Sequence, residues 1–510
     1  MSRIDVAIVK PGSQKQLYGE LDSFELTGIE PPLWAALLGG YLRGLGYSVV
    51  LLDEEVEQWT HVQTAAAIRD IDPRLAVISV SGTNPSASTM NMTGASEIVK
   101  HLHQVAPHIR TLLQGLHPSA LPERSLQETT TDFVCQGEGF FTLPGLIDAL
   151  RAGDASFTIE GLWYREDGAI RSHPSPPLFG DLDQLPMPAW DLLPMARYRA
   201  HNWHCMHDIE SRQPYGILYT SLGCPFRCTF CCINAIFGKP GIRFRSPGKI
   251  AEEIDFLVQT YGIRNIKIID ELFAVNEKRV VDICDRIIEL GHDLNMWAYA
   301  RVNTVTPLML RKMKQAGINW VAYGFESGSK RVLEGVKKSY RLDAVDKVVR
   351  ATYDEGLYIG ANYIFGLPDD DFDSMQETLD LAHEINAEWA NLYVTMAYPG
   401  SKLHEEALAR GWSLPDTWSG FSQYAYESLP LPTKHLTPGE VLAFRDYAFQ
   451  AYYDSPRYLD KIRRLFGMRA VGHIREMTGY RLERKHTQFT TTVVGRSHDQ
   501  HPVQRETSCN

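Results

Sequence analysis

Two long stretches of alternating strand and helix patterns constrain the fold of this 510-residue chain more than any other feature. In each stretch, short apolar runs rich in β-branched residues are separated by segments with helical periodicity. Such alternation is typical of parallel sheets, because a parallel connection needs a crossover that is usually helical. The first stretch has predicted strands at 4–9, 48–52, 75–80, 111–113 and 132–135. It therefore predicts a doubly wound parallel sheet, which binds ligands outside the carboxyl ends of its strands.

The second stretch begins near residue 213 and has six predicted strands with helices between them. These strands are 215–221, 265–269, 295–300, 320–324, 358–365 and 389–396. Six β/α units predict a partial (β/α)6 barrel of the TIM type, open on one side. The residues after 401 have mainly helical patterns. The predicted fold class is therefore α/β, with a doubly wound parallel sheet followed by a partial barrel and a helical C-terminal region.

The order of these patterns predicts five segments along the chain. They are the doubly wound domain at 1–155, a linker with a hairpin at 156–200, the barrel at 201–401, a helical domain at 402–486 and a polar, disordered tail at 487–510. The helical domain is rich in aromatic residues, which fit either core packing or a lid over the barrel mouth. These residues are Trp412, Trp418, Tyr424, Tyr426, Tyr447, Tyr452 and Tyr453.

Composition excludes several classes of protein. A formal net charge of -11 gives no electrostatic footprint for nucleic acid. No apolar run approaches the length of a membrane span, and the N-terminus enters a strand pattern without a signal-peptide pattern. Eight cysteines in so long a chain do not make a disulfide scaffold. Free thiols fit a reducing compartment, so we expect a cytoplasmic protein.

Three cysteines, Cys224, Cys228 and Cys231, follow the first barrel strand with the spacing C-x3-C-x2-C. Three thiolates on one loop can bind three irons of a four-iron, four-sulfur cluster and leave the fourth iron to an exogenous ligand. Two alternatives are a zinc site completed by a remote histidine, and three buried thiols. We interpret the adjacent Cys232 as a packed thiol, because its neighbour already points to the cluster.

Charged residues also follow the later barrel strands. Asp270 and Glu271 end the second strand, Arg301 follows the third, and Glu326 with Ser327 ends the fourth. A carboxylate at 270 or 271 can accept hydrogen bonds from an ammonium group, the arginine can pair with a carboxylate, and the glutamate can bind ribose hydroxyls. The alternatives are a helix cap with a first-turn acid, a surface ion pair and a plain turn.

With these motifs, residues 1 to roughly 410 resemble the cobalamin-binding branch of radical S-adenosylmethionine enzymes. This branch includes the anaerobic magnesium-protoporphyrin ester cyclase and several C-methylases. The resemblance rests on the cysteine triad and on the runs at 117–123, 137–139, 182–190, 326–329 and 365–368. The chain departs from the family in two places. It has Gln114-Gly115-Leu116 where Gly-Gly is frequent, and Asp270-Glu271-Leu272-Phe273 where Asp-Asp-Thr-Phe is frequent.

The resemblance implies that the three cysteines hold a 4Fe–4S cluster and that the charged strand ends bind S-adenosylmethionine, which is cleaved reductively to a 5′-deoxyadenosyl radical. It also implies a cobalamin bound by the first domain. The residues expected to contact cobalamin are Ser81, Thr83, Gly115, His117, Ser119, Gly137 and Glu138. No D-x-H-x-x-G motif is present, so no histidine is expected beneath the cobalt through that motif. The alternative is a sheet domain that docks on the barrel without cobalamin.

Three functional classes follow from this resemblance. The first, which we expect, is radical methyl transfer to an unactivated carbon of a small molecule. The second is a radical cyclisation or oxidation without methyl transfer, and the third is a non-catalytic corrinoid or iron–sulfur redox protein. An enzyme of either kind needs an electron donor such as flavodoxin or ferredoxin. A phosphonate, a terpenoid, a tetrapyrrole, a sugar and a peptide all fit as substrates.

Overall fold

The computed structural model describes residues 3–12, 27–82, 88–154, 156–338 and 340–486. Two parallel-rich sheets and a helical C-terminal region make up this part of the chain, which confirms the predicted fold class. The tail predicted to be disordered at 487–510 lies outside the described residues, as does Thr83.

The first sheet has seven strands in the order β2-β1-β3-β4-β5-β6-β7. Their bounds are β1 Val6–Lys10, β2 Val49–Asp53, β3 Leu75–Val80, β4 Arg110–Gly115, β5 Phe133–Cys135, β6 Leu162–Glu166 and β7 Ala169–Ser172. The first five strands pair in parallel, as predicted. The last two form a hairpin that extends the sheet edge in antiparallel fashion. This hairpin falls within the predicted linker, and the segment boundaries stay a prediction.

The second sheet has six parallel strands in the order β8-β11-β12-β13-β14-β15, which is the predicted partial barrel. Their bounds are β8 Tyr215–Leu218, β11 Asn265–Ile268, β12 Asn295–Ala300, β13 Ile318–Glu326, β14 Tyr358–Phe365 and β15 Trp389–Val394. Between the first two of these strands, β9 (Ser221–Leu222) and β10 (Arg243–Phe244) pair as a short antiparallel ribbon. The ribbon joins the two ends of the segment that carries the cysteine triad.

Helices connect the strands and cover the sheets. The longer ones are Leu33–Gly44, His61–Ile71, Met92–Val105, Thr142–Ala152, Pro247–Tyr261, Glu277–Leu290, Pro307–Gln315, Val345–Asp354, Phe372–Ile385, Lys402–Arg410, Pro438–Tyr453 and Pro456–Gly479. The shorter ones are Glu54–Glu57, Leu116–Ala120, Pro122–Glu128, Asn234–Phe237 and Lys330–Gly335. Across the described ranges, no helix has both the length and the apolar character that a membrane crossing needs.

Tryptophan side chains fill the amino-terminal end of the barrel. Trp203 lies just before β8, and its ring centroid is 5.1 Å from that of Trp297, 5.3 Å from that of Trp320 and 6.3 Å from that of Trp389. The last three lie within the first three residues of strands β12, β13 and β15. The barrel interior is therefore packed at this end, and its polar strand ends face the other way, towards the first sheet.

Buried charges join the two sheets. Lys267 on β11 places its Nζ 3.0 Å from both carboxylate oxygens of Glu30, which precedes the helix Leu33–Gly44, and both side chains are almost completely buried. A second contact is the ion pair of Arg243 with Glu138, with a shortest N–O distance of 2.6 Å. Each charged side chain that one domain removes from water is thus neutralised by an opposite charge from the other domain. The two domains can therefore bury these groups only together.

The pair between Lys267 and Glu30 gives a stability prediction. Removing one partner of a buried pair leaves an uncompensated charge, so Glu30→Gln should destabilise the protein by about 3–5 kcal/mol. The double variant Glu30→Gln/Lys267→Met should regain much of this loss, because neither side then carries a charge. Thermal unfolding followed by circular dichroism measures both. Equal melting temperatures for wild type and Glu30→Gln would contradict the assignment.

The same pair predicts a pH dependence. Burial alone would raise the pKa of Glu30, but the charge of Lys267 and the contact with His201 lower it from 4.5 to about 2. A carboxyl with a lowered pKa stabilises the fold fully above its ordinary value and loses that contribution as the pH falls towards the folded value. The melting temperatures of wild type and Glu30→Gln should therefore converge as the pH is lowered from 5 to 2.

Candidate active site

A cavity of about 1100 Å³ lies between the first sheet, the barrel and the C-terminal region. Lys10 and Ser81, at or just beyond the carboxyl ends of β1 and β3, form part of its first wall. Barrel residues that include all three cysteines of the triad form its second wall, and Trp203 lies at its floor. This volume lies just above the range of about 300–1,000 Å³ that is typical of small-molecule and cofactor pockets.

The loop that carries the cysteine triad is fixed by close backbone contacts. Gly223 has a φ of +91°, and a Cβ there would lie 2.6 Å from the carbonyl oxygen of Gly241. The amide of Gly241 donates to the carbonyl of Cys224 at 3.1 Å, directly beyond the ribbon of β9 and β10. Glycine is needed at residue 223 because any side chain would meet both the strained φ and the facing backbone.

The three thiols fit the donor set of a cluster with one open iron. Cys224, Cys228 and Cys231 are half-buried and line the cavity, whereas Cys232 is fully buried and does not. Among the cysteines of the described ranges, no fourth one reaches the cavity wall. Burial raises the pKa of Cys231 to about 12. No three His, Cys, Asp or Glu side chains of the described residues are grouped around a common point as a metal ion would require.

Arg301 stands beside these thiols with one donor unused. Its Nη1 donates to Sγ of Cys228 at 3.4 Å, and its guanidinium carbon lies 3.8 Å from the centre of the Phe226 ring. Nη2 is buried without a hydrogen-bond partner, although the side chain lines the cavity. A buried guanidinium donor without a partner is costly. It therefore fits an anionic ligand group, such as the carboxylate for which the sequence predicted it.

The structure separates the two acids between which the sequence could not choose. Asp270 is fully buried and accepts hydrogen bonds from the amide of Thr220 at 2.6 Å, the hydroxyl of Thr220 and the hydroxyl of Ser221 at 2.6 Å. These bonds hold the turn between β8 and β9. Glu271 lines the cavity, accepts a hydrogen bond from the amide of Gly223 at 3.0 Å, and has a pKa raised to about 8 by burial. Glu271 is therefore the acid placed to meet a ligand.

Glu326 sits at a bulge where β13 and β14 lose register. Its φ of +61° is left-handed, and its carboxylate pairs with Nζ of Lys338 at 2.6 Å on the cavity wall. A Cβ at Gly324 would lie 2.3 Å from the Glu326 carboxylate, so a side chain there would displace this carboxylate from its present position. Ser327, by contrast, is fully buried and its hydroxyl contacts that of Thr378, away from the cavity.

The residues predicted to bind cobalamin do not form one surface. Ser81 lines the cavity. His117 is buried in the helix Leu116–Ala120, where its Nδ1 lies 3.2 Å from the hydroxyl of Thr89 and burial lowers its pKa to about 3. Ser119 accepts a hydrogen bond from the amide of Gly137 at 3.0 Å.

Two further residues of that prediction have structural roles. Gly115 has a φ of +134°, and a Cβ there would lie 2.2 Å from the carbonyl oxygen of Val80. Glu138 is engaged by Arg243 and by the amide of Phe179 at 2.8 Å, in the ion pair that joins the two sheets. Neither residue is on the cavity wall.

The aromatic residues of the C-terminal region divide between lid and core. Tyr424 and Tyr447 line the cavity. Tyr452 and Tyr453 are fully buried, and their hydroxyls donate to carbonyls of residues 387 and 390 beside β15. The other three, Trp412, Trp418 and Tyr426, do not reach the cavity. Core packing therefore holds for Tyr452 and Tyr453, and a lid over the barrel mouth that includes Tyr424 and Tyr447 stays a prediction.

Several charged cavity residues were missed by the sequence interpretation. Lys10 makes an ion pair with Glu55 at 2.6 Å and donates to the carbonyl of Glu30 at 3.0 Å. Lys267 stands inside an otherwise apolar strand, which is a signal that sequence reasoning can use. Arg445 and Arg484 lie in segments without any such pattern, and only the fold brings them to the cavity.

Comparison with known proteins matches the two halves of the chain to two domain families. Residues 23–147 match the B12 binding domain and residues 218–382 match the radical SAM superfamily. An uncharacterized methyltransferase of Pyrococcus horikoshii is 31% identical over 432 residues, which cover 84% of this chain and 89% of that protein. The anaerobic magnesium-protoporphyrin IX monomethyl ester cyclase of Rubrivivax gelatinosus is 26% identical, over 75% of this chain and 67% of that protein.

Solved structures share the fold at low identity. The radical S-adenosylmethionine methyltransferase TsrM from Kitasatospora setae, with cobalamin and a 4Fe–4S cluster bound, superposes with a TM-score of 0.66 at 16% identity, over 89% of each chain. The cobalamin-dependent radical enzyme OxsB, with aqua-cobalamin and S-adenosylmethionine bound, gives 0.68 at 16% identity, over 93% of this chain and 70% of that one.

The chain belongs to the radical SAM superfamily, in the branch that also carries a B12 binding domain. It is a radical S-adenosylmethionine enzyme, and its cofactors are a 4Fe–4S cluster, S-adenosylmethionine and cobalamin, as the sequence predicted. The half-buried thiols, the unused donor of Arg301 and the walls formed by both domains fit these groups in one cavity.

The cysteine triad gives a direct prediction. Alanine at Cys224, Cys228 or Cys231 should prevent assembly of the cluster, which contains about four irons, because each thiolate holds one iron. Each variant should therefore also lose the cleavage of S-adenosylmethionine. Cys232→Ala is the matched control, since this thiol is adjacent in sequence but packed away from the cavity. Iron content and 5′-deoxyadenosine formation after anaerobic reconstitution measure both. Full cleavage activity in Cys228→Ala would overturn the assignment.

Proposed function

We propose that this protein is a cobalamin-dependent radical S-adenosylmethionine methyltransferase that methylates an unactivated carbon of a small molecule. The observation that carries the proposal is a single cavity shared by the cysteine triad and by the carboxyl ends of β1 and β3. Among its relatives, the Pyrococcus horikoshii protein and the cytidylyl-2-hydroxyethylphosphonate methyltransferase of Streptomyces wedmorensis, 24% identical, carry methyltransferase names. When bound, the cofactors supply a hydrogen-abstracting radical and a transferable methyl group, while the protein positions the substrate between them.

The barrel residues each have a proposed part in binding S-adenosylmethionine. Arg301 uses its buried Nη2 to bind the ligand's carboxylate, and Glu271 accepts from its ammonium group. Glu326 accepts from the ribose hydroxyls while its ion pair with Lys338 holds the carboxylate in place. Asp270 acts as a positioning residue, because its three hydrogen bonds shape the turn that leads into the cysteine loop.

On the opposite wall, the first domain is proposed to hold cobalamin with residues beyond β1 and β3. Lys10, Ser81 and Asn91 line the cavity there, and the side-chain amide Nδ2 of Asn91 donates to the backbone carbonyl of Ser81 at 2.7 Å. His117 is buried behind this wall, so no ligand to cobalt is assigned to it.

Radical cyclisation is the second candidate, favoured by the likeness to magnesium-protoporphyrin ester cyclases. The two candidates differ in their products. Methyl transfer consumes S-adenosylmethionine as methyl donor and as radical source, so S-adenosylhomocysteine and 5′-deoxyadenosine should form in about equal amounts. Cyclisation should form 5′-deoxyadenosine with little S-adenosylhomocysteine.

The test incubates reconstituted holoenzyme with methyl-labelled S-adenosylmethionine, a reductant and a small-molecule extract of the source cells. We expect a labelled product by mass spectrometry together with both coproducts. Cys228→Ala with cobalamin bound is the control, since it should give neither deoxyadenosine nor labelled product. S-adenosylhomocysteine that stays at a few per cent of the deoxyadenosine while a new unlabelled product forms would reject methyl transfer and favour cyclisation.

We further propose that the enzyme works in the cytoplasm with a small electron-transfer protein, flavodoxin or ferredoxin, as donor. The exposed Arg227, between two cysteines of the triad, offers a positive charge close to the cluster site. Arg227→Glu should slow S-adenosylmethionine cleavage with reduced flavodoxin several-fold at low salt, because complementary charges speed association. With titanium(III) citrate the rate should stay unchanged. Arg264→Glu, at the start of β11, is the control, and an equal loss with both reductants would contradict a docking role.

A further inference from the structure

The third wall of the cavity belongs to neither matched domain. It is formed by residues that follow β15: Gln423, Tyr424, Arg445, Asp446, Gln450 and Arg484, here called the C-terminal wall. The matched domains end at residues 147 and 382. Because the other two walls carry the cofactor sites, the C-terminal wall is the part of the cavity left for another ligand.

The centre of the C-terminal wall is a carboxylate held between two guanidinium groups. Asp446 accepts from Nη1 of Arg445 at 2.9 Å and from Nε and Nη2 of Arg484 at 3.1 and 3.0 Å. Burial alone would raise the pKa of Asp446, but the two arginines hold it below its ordinary value. The acid is thus ionised, and the three side chains together keep one positive charge in a buried position.

Arg445 directs part of that charge into the cavity. It is 3% exposed, its Nε donates to the carbonyl of Leu392 on β15 at 2.8 Å, and its Nη1 is used by Asp446. Nη2 has no partner among the described residues. The guanidinium carbon lies 5.1 Å from the ring centre of Phe449 and 5.7 Å from that of Tyr424, so its plane is fixed between aromatic faces.

Two amide oxygens of the same wall also lack partners. Oε1 of Gln423, a side chain that is 8% exposed, and Oε1 of Gln450 are both buried without a hydrogen bond. Both residues line the cavity. A buried acceptor without a hydrogen bond is unfavourable, so a ligand that donates to either amide oxygen supplies the hydrogen bond that the free protein lacks.

We propose that the C-terminal wall is the substrate-recognition subsite, and that it binds a small molecule with a carboxylate or phosphate next to a hydrogen-bond donor. The anion pairs with Nη2 of Arg445, and the donor reaches the amide oxygen of Gln423 or Gln450. The inference rests on the proposed function for the identity of the ligand as substrate.

The test measures binding to the holoprotein by ligand-observed NMR, without turnover. The probes are hippurate, which has a carboxylate beside an amide N–H, phenyl phosphate, which has the anion alone, and benzamide, which is neutral. Hippurate or phenyl phosphate should bind at least about tenfold more tightly than benzamide, because a charge-assisted contact is about twice as strong as a neutral one and tenfold corresponds to about 1.4 kcal/mol. The anion that binds more tightly indicates whether the substrate carries a carboxylate or a phosphate.

Variants assign this binding to the C-terminal wall. Arg445→Gln should abolish the preference for anions, and Gln423→Leu should weaken hippurate about fivefold while it leaves phenyl phosphate unchanged. Arg464→Gln, on an exposed part of the last helix, is the control. If Arg445→Gln fails to retain cobalamin and iron, the affinities of Gln423→Leu for the two anions decide the test alone. Equal affinities for benzamide and the anions, or unchanged affinities in both variants, would overturn the proposal.

The outcome is separable from the test of methyl transfer. Anion binding that depends on Arg445, in an enzyme that forms no labelled product, would reject the methyltransferase and keep the subsite. A labelled product that is neutral, from an enzyme that binds none of the anions, would keep the methyltransferase and overturn the subsite.

Discussion

The pairing of Lys267 with Glu30 sets the relation of the two domains on which the cavity depends. Each group is buried by the other domain. Moving either charge out of water without its partner would carry a large free-energy cost. The pair fixes the second barrel strand against the segment that leads into the helix Leu33–Gly44 of the other domain. With the ion pair of Arg243 and Glu138 as a second point of attachment, the carboxyl ends of the two sheets face each other. The shared cavity is the space that these two contacts leave open.

Much of the fold could be predicted from sequence, because strand and helix periodicities are local. The strands from β1 to β5 and the six barrel strands are predominantly apolar runs of the kind that sheets buried on both faces favour. The hairpin of β6 and β7 was also expected as a hairpin, but its pairing with β5 is a long-range contact that no local pattern encodes. The aromatic residues after 401 show the same limit, since only the packing decides which rings face the cavity.

The candidate site was predictable where chemistry dictates spacing and less so where neighbours decide. The triad of cysteines follows from the needs of a cluster, and all three line the cavity. Asp270 and Glu271 are adjacent and chemically alike, so only the hydrogen bonds from Thr220 and Ser221 reveal which one is structural. Glu138 fits a cofactor motif by sequence, yet Arg243, more than a hundred residues later, engages its carboxylate. Arg445 and Arg484 come together only because the helix Pro438–Tyr453 contacts the last described segment of the chain.

The contact between this helix and the last described segment affects the order in which the parts of the enzyme can fold. Arg484 lies near the end of the described chain, and it fastens this segment to Asp446 and to the carbonyl of Gln423. During synthesis, domains fold as units from the N-terminus, so the B12 binding domain and the barrel can assemble before residue 484 has left the ribosome. The places for the cofactors therefore precede the wall that would select a substrate. A nascent chain can be shaped for cofactors while it still has no means to tell one substrate from another.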